Sequence, residues 1–244
     1  MAYSRDERLA LCAALDEAGP DAPTLCTGWT ARDLAAHLVL REHRLDASAG
    51  IPGGPLAGYT ARVQQRLASR KSFAELVGTI RNGPPKLSPW AIPALDERAN
   101  TVEFFVHHED VRRAAPGWKP REISPGLSDA LWTRLRVAKL TMRRVPVGVE
   151  FARNDDAAGA TGGADGAEPG GTRASTAEPG GRRAGAGAAP EFRMTVRRGT
   201  PVVTVTGSPA ELTLWATGRT TAAKVRLDGT EAATAMLAQA RWRI

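Results

Sequence analysis

NTVEFFVHHEDVRRA, at residues 100–114, and LCTGWTARDLAAHL, at residues 25–38, carry the clearest structural pattern in the first half of the chain. Both stretches repeat apolar residues three and four positions apart, which is the spacing of a helix with one buried face. Thr30 stands before the second apolar run with Asp33 three residues later, as in a capping box that begins a helix. The sequence therefore predicts one helix that starts after Thr30 and another at 97–115.

Outward from these two helices, the rest of the chain before residue 145 is also predicted to be helical. Apolar periodicity and capping residues place further helices at 4–18, 56–70, 73–81 and 125–143. The apolar side of the first of these is expected to carry Leu9, Leu11, Cys12 and Leu15. Ser72 and Glu75 are suited to cap the helix at 73–81. The sequence thus predicts a helical domain over residues 1–145.

The character of the sequence changes in the second half of the chain. Residues 151–190 contain the tandem decapeptides AEPGGTRAST and AEPGGRRAGA. Such Gly/Ala/Pro-rich sequence lacks the apolar surface that offsets the entropy cost of ordering, so we expect a flexible linker or an expanded surface loop. Residues 191–244 then combine the strand-like runs FRMTVRR, VVTVTG and KVRLDG with two helical runs. A small α/β domain is predicted there, with 145–151 as a possible additional strand.

The helical run SPAELTLWATGR, at 208–219, has clear boundary signals. Ser208 is a favourable N-cap, Pro209 stands at the first helical position, and Gly218 lies just past the predicted end. The run TEAATAMLAQARW predicts the final helix of the chain. The predicted fold class is therefore α+β.

Charge and cysteine content exclude several classes of protein. The net charge is +7, but no run of five like charges occurs and no helix shows a dense Lys/Arg face, which argues against nucleic-acid binding. The apolar runs are too short to span a membrane, and the N-terminus lacks the apolar segment of a secretory signal. Because Cys12 and Cys26 are the only cysteines, we expect free thiols in a reducing cytoplasm.

Three residues on the helices predicted after Thr30 and at 97–115 form a candidate metal site. His37 lies between Leu34 and Leu38, which mark the buried side of its helix, so its side chain is expected to point inward. Glu103 and His107 are four residues apart and therefore share a helix face. Two imidazoles and one carboxylate from facing helices can hold a divalent ion and leave positions open for water or substrate.

The same residues allow a plainer interpretation. Glu103 and His107 could be a hydrogen-bonded pair on a solvated face, with His37 an ordinary core histidine. Spacing favours His107 over His108 as the ligand, because five residues from Glu103 is about 140° around a helix. Asp110 is either a partner for the second ring nitrogen of His107 or a solvent-facing acid.

The sequence contains other residues of types that often occur in functional sites. His43 is six residues from His37 and is expected to lie off the ligand face. Cys12 falls on an apolar helix face and is expected to be inert, and Cys26 has no histidine near it in sequence that would activate it. Trp29 and Trp90 can line a pocket or simply pack.

Three stretches resemble one known family. LCTGWTARDLAAHL resembles the second helix of the DinB/YfiT-like superfamily, and more specifically the metal-binding N-terminal domain of the mycothiol-dependent maleylpyruvate isomerase family. NTVEFFVHHEDVRRA is similar to that family's later helix, which carries a Glu-x-x-x-His pair followed by an acidic residue. SPAELTLWATGR resembles the family's C-terminal domain, where a similar stretch ends in Gly-Arg. The resemblance covers both ends of the chain and skips residues 151–190.

The resemblance implies a DinB-like four-helix bundle with one metal ion, followed by a small sterol-carrier-like α/β domain. It implies His37, Glu103 and His107 as the metal ligands and mycothiol as a thiol cofactor. Zinc is favoured because no redox motif accompanies the site and the resembled family is thiol-dependent, although nickel and iron also suit these ligands.

The functional hypothesis is a metal-dependent enzyme that uses a low-molecular-weight thiol. The metal would lower the pKa of the thiol, and the thiolate would add to an electrophilic substrate, giving transfer or cis–trans isomerisation. Arg219 either complements the C-terminal end of its helix or binds a carboxylate of the thiol or substrate. The alternative from another class is a non-catalytic metal- or small-molecule-binding module.

Overall fold

The predicted α+β class is confirmed in the computed structural model, which describes residues 2–51, 53–86, 88–154, 192–240 and 242. The first part of the chain folds into the helices α1 (Tyr3–Ala18), α2 (Ala31–His43), α3 (Leu45–Ser48), α4 (Ala57–Arg70), α5 (Phe73–Asn82), α6 (Pro93–Arg112), α7 (Pro125–Arg134) and α8 (Ala138–Thr141). The second part contains β1 (Gly148–Arg153), β2 (Arg193–Arg197), β3 (Val202–Gly207), α9 (Pro209–Ala216), β4 (Arg226–Asp228) and α10 (Glu231–Gln239).

The helical part is built around α6. Helix α1 packs along α6, and α2 packs against α4 and α5. The predicted apolar faces meet in one core, where Leu11, Leu15, Leu34, Leu38 and Phe104 are almost completely buried. Burial of a leucine or phenylalanine side chain contributes about 1.5–3 kcal/mol, so this core is a main source of stability for the helices.

Helix α1 departs from the prediction at Leu9, which is 43% exposed. The buried side of α1 instead carries Arg8, Leu11, Cys12 and Leu15, which follow the 3–4 spacing of one helix face. Arg8 occupies an inward position because its guanidinium donates to both carboxylate oxygens of Glu42, at 2.5 and 2.7 Å. A charged residue at a core position is difficult to predict from sequence without knowledge of its partner.

The helix predicted at 125–143 is broken into two. Helix α7 ends at Arg134, a 3₁₀ turn spans Leu135–Val137, and α8 follows. The break divides the apolar residues between two clusters. Leu131 packs with α6 and α9, whereas Leu135, Ala138 and Met142 pack against the sheet.

The sheet has the order β2-β1-β3-β4. Strand β1 is parallel to β3, with Phe151 opposite Val205, and the β1–β2 and β3–β4 pairs are antiparallel. Because β1 comes before residue 155 and the other strands follow residue 191, the sheet joins the two parts of the chain. Helices α9 and α10 both pack against β3.

Helix α9 also connects the sheet to the helical part. Its Leu214 is fully buried with Phe105 of α6 and Leu131 of α7. Arg113, at the end of α6, donates two hydrogen bonds to Glu211 of α9, at 2.9 and 2.7 Å. Both side chains of this ion pair are at most 7% exposed, so α6 and α9 are held together by apolar packing and by a buried ion pair.

Most of the predicted linker lies outside the described residues, which resume at Phe192 after Asn154. Residues 151–153, at its predicted beginning, belong to strand β1. Among the described helices, none is both long enough and apolar enough to cross a membrane.

Candidate metal centre

His37 is positioned by the start of α2. The predicted capping box is confirmed: the Thr30 side chain accepts from the Asp33 backbone N–H, and the Asp33 carboxylate accepts from the Thr30 N–H at 3.0 Å. This cap sets the phase of the helix, so that His37 points inward and is only 6% exposed. The Trp29 ring packs against the His37 ring with centroids 5.0 Å apart.

The three predicted ligands converge. Glu103 Oε1 lies 3.5 Å from His37 Nε2 and 3.3 Å from His107 Nε2. The two imidazole rings are 5.4 Å apart, and one ligand atom from each of the three residues lies within 4.8 Å of the others. The structure thus brings together His37, Glu103 and His107 from α2 and α6, with their donor atoms facing one another.

Arg41 is a member of this cluster that the sequence analysis missed. Its Nε lies 3.2 Å from Glu103 Oε1, and its guanidinium packs over the Trp90 ring at 4.9 Å. Burial would raise the pKa of the Glu103 carboxyl, but the two histidines and the charge of Arg41 hold it well below its usual value. Because Arg41 follows His37 by four residues, their shared helix face was the available sequence signal.

His107 is oriented by Asp110. The Nδ1 atom of His107 lies 2.9 Å from Asp110 Oδ2, and Asp110 is fully buried, which excludes the solvent-facing interpretation of this residue. Burial would lower the pKa of the His107 imidazole, but hydrogen bonding to Asp110, and then to Cys26, raises it well above its usual value. Burial lowers the pKa of His37.

Arg219 reaches the same cluster from the other part of the chain. Its Nε donates to Asp110 Oδ1 at 2.9 Å and its Nη2 to Oδ2 at 2.7 Å, a bidentate ion pair. Burial would raise the pKa of Asp110, but hydrogen bonds from His107 and Arg219 keep it well below its usual value. Gly218, with a φ of 91°, provides the left-handed turn that follows α9 and precedes Arg219.

Cys26 also lies at this cluster. Its thiol donates to Asp110 Oδ2 at 3.2 Å, and Arg219 Nη2 lies 3.6 Å from its sulfur. Local sequence patterns do not predict this contact, because Cys26 and Asp110 are far apart in the chain and are brought together only by packing. The backbone N–H of Leu25 also donates to the carbonyl of Asp110, which fixes the loop against α6.

The remaining histidines lie outside the triad. His108 faces α1, where its Nδ1 is 3.3 Å from Glu7 Oε2. His43, at the end of α2, is absent from the clusters of potential metal ligands found in the described residues. Cys12 is fully buried in the helical core, which raises the pKa of its thiol to about 11.

The donor set fits a divalent ion. A metal-binding histidine commonly uses one ring nitrogen for the ion and the other for a carboxylate, and His107 has Asp110 at Nδ1 while Nε2 faces Glu103. A second group of potential ligands, formed by Cys26, His107 and Asp110, shares the same histidine. It suits a cation less, because both carboxylate oxygens of Asp110 already accept from Arg219, at 2.9 and 2.7 Å, whereas Arg41 approaches a single oxygen of Glu103, at 3.2 Å.

Part of the chain matches a known protein family. Residues 2–148 match a family model described as the mycothiol maleylpyruvate isomerase N-terminal domain. No curated protein and no solved structure matches the chain. The matched stretch contains the three converging residues and Asp110, whereas Arg219 lies beyond it.

Proposed function

The chain belongs to the mycothiol maleylpyruvate isomerase N-terminal domain family, and from that premise we propose that it binds one divalent metal ion through His37, Glu103 and His107. The convergence of these side chains, with His107 oriented by Asp110, is the observation that carries the proposal. The proposal extends to the fold: a DinB-like four-helix bundle over 1–145, a linker over 151–190 and a sterol-carrier-like domain over 191–244.

Zinc is the favoured metal, because imidazole and carboxylate ligands suit it and no redox motif accompanies them, although nickel and iron suit the same donors. A divalent ion bound here would lower the pKa of a coordinated thiol, supplying a thiolate for transfer to an electrophile or for its cis–trans isomerisation. The family points to mycothiol as that thiol. A reducing cytoplasm is the proposed location, where Cys12 and Cys26 would remain free thiols.

The residues around the triad have separate tasks in this proposal. Asp110 accepts from His107 Nδ1 and so keeps Nε2 directed toward the metal position. Arg219 holds Asp110 by its bidentate contact and places positive charge beside the site. We propose that Arg219 also donates hydrogen bonds to the bound thiol cofactor, in competition with Asp110.

The alternative is a non-catalytic metal- or small-molecule-binding module. Both functions require the metal triad, but only the enzyme requires that a thiol bind beside the metal. Thiol binding to the metal-loaded protein therefore separates the two possibilities.

Elemental analysis of protein purified without a histidine tag tests the metal site. The protein should contain one divalent ion per chain, and His37→Ala or His107→Ala should each remove most of it. His43→Ala and His108→Ala are matched controls that should retain it. If His108→Ala empties the site while His107→Ala does not, the ligand assignment is wrong; if all four variants retain the ion, the site is elsewhere.

Calorimetric titration of the same protein with mycothiol tests the thiol. We expect binding that depends on the metal, and Arg219→Ala should keep the metal while weakening the affinity for mycothiol. Metal occupancy without mycothiol binding would favour the non-catalytic module. Unchanged affinity in Arg219→Ala would remove Arg219 from the binding site.

A further inference from the structure

A cavity of about 650 Å³ lies between α6, the α7–α8 turn and α9. This volume is within the range of small-molecule sites, which are about 300–1,000 Å³. The cavity is walled by both parts of the chain, since α6 and the turn belong to the helical part and α9 belongs to the part with the sheet. Its walls include Arg98, Val102, Glu103, Arg134, Arg136 and Val137.

The cavity adjoins the candidate metal centre. Glu103 is part of its wall, and the same carboxylate lies within 3.5 Å of the ring nitrogens of His37 and His107. Thr217, also in the wall, accepts a hydrogen bond from Arg219 Nη1 through its backbone carbonyl at 2.6 Å. A molecule in the cavity would therefore lie next to the triad.

The charge of the cavity is positive. Arg98 and Arg136 are exposed and make no ion pair with the described part of the chain. Arg134 donates to the backbone carbonyls of Glu97 and Ala130, and its Nη2 also lies 3.5 Å from the Glu97 carboxylate. Its buried Nε has no hydrogen-bond partner among the described residues. The acid of the wall, Glu103, is already matched by Arg41. Free guanidinium groups at a concave surface favour a carboxylate, which they bind in bidentate geometry.

The cavity also has an apolar side. Val102 and Ala99 of α6 face it together with Val137, which is 55% exposed in the turn. Exposed apolar side chains beside cationic groups suit a ligand that has an apolar body and a charged end.

We propose that this cavity binds a small organic carboxylate with an apolar body, held by Arg98, Arg134 and Arg136. Its role as the site of the electrophile rests on the proposed function, whereas carboxylate binding does not. Arg219 is paired with Asp110 beside the metal centre and is not part of the cavity wall, so the arginines of the cavity would recognise the substrate anion.

Calorimetric titration with naphthalene-2-carboxylate tests the proposal, with the uncharged naphthalene-2-carboxamide as the matched ligand. We expect the carboxylate to bind at least tenfold more tightly than the amide and to weaken with added salt, since the arginines are partly open to solvent. The double variant Arg98→Gln/Arg136→Gln should reduce carboxylate affinity to that of the amide. Neither side chain has an ion pair to lose within the described part of the chain, so folding should be unaffected. Arg5→Gln, at an exposed arginine of α1 outside the cavity wall, is the control and should change nothing.

Equal affinity for the two ligands, or an unchanged carboxylate affinity in the double variant, would overturn the proposal. The titrations are made on the purified protein with and without added zinc. Carboxylate binding in a protein that takes up no metal would support the cavity and refute the metal site. Metal uptake without carboxylate binding would refute the cavity alone.

Discussion

The two cysteine side chains lie in different environments, which should give their thiols different reactivities. Cys12 is fully buried on α1, where burial raises the pKa of its thiol to about 11. Cys26 is half-buried in the loop before α2, beside Asp110 and Arg219. The thiolate is the nucleophile that attacks a disulfide reagent, so both the raised pKa and the burial should protect Cys12.

We predict that the native protein has one rapidly reacting thiol at pH 8. Titration with a chromogenic disulfide reagent should show one fast equivalent, which Cys26→Ser removes and Cys12→Ser leaves in place. The second equivalent should appear only on denaturation. A fast equivalent that survives in Cys26→Ser would show that α1 opens readily and that Cys12 is not held in the core.

For single residues, the sequence predicts the direction of a side chain where helical periodicity shows which face of the helix is buried. His37, Glu103 and His107 were placed in this way, because 3–4 spacing determines which residues share a face. Arg219 and Cys26 could not be assigned their contacts with Asp110, since both come from segments distant in sequence. Such contacts depend on how the elements pack, which local periodicity does not specify.

At the scale of elements, helix boundaries followed local signals. The capping boxes at Thr30 and Ser72 are confirmed, as are Ser208 as an N-cap and Pro209 at the first turn of α9. The break in 125–143 had no such signal in the sequence. It arises where the apolar residues of one run divide between two clusters, which is a property of the packed molecule.

The contact between α6 and α9 should depend strongly on Arg113 and Glu211. We predict that Glu211→Ala lowers the free energy of unfolding by about 3 kcal/mol, because it removes two hydrogen bonds of the buried Arg113 guanidinium, whose Nε keeps its bond to Glu109. Asp16→Ala is the matched control, since Asp16 also joins two helices through an arginine, Arg81, but on the surface. It should cost about 1 kcal/mol or less. Urea denaturation measures both, and equal losses would contradict the importance assigned to burial.

At the scale of the whole molecule, strand β1 makes the two parts of the chain interdependent. It precedes residue 155 in sequence, yet it lies between β2 and β3, which follow residue 191. Removal of β1 would therefore leave the sheet without an inner strand. A fragment limited to residues 191–244 lacks β1 and should therefore not fold.

The segment between β1 and β2 should be replaceable, because its two ends already lie side by side. Ala152 is paired with Arg193, and the backbone N–H of Arg153 donates to the carbonyl of Phe192 at 2.9 Å. A Gly/Ser linker of about six residues in place of 155–189 can therefore close the connection, and each halving of loop length lowers the closure cost by about 0.6 kcal/mol.

We predict that this replacement leaves the melting temperature unchanged or raises it by a few degrees, at about 2–4 °C per kcal/mol for a chain of this size. The segment is rich in Gly, Ala and Pro and has little apolar surface with which to stabilise the rest of the molecule. A variant with residues 155–189 in scrambled order is the control, and it should have the same melting temperature as the natural protein. A loss of many degrees in the shortened chain, with the scrambled chain also destabilised, would show that the segment makes sequence-specific contacts with the body. If only the shortened chain is destabilised, the length of the segment matters and its sequence does not.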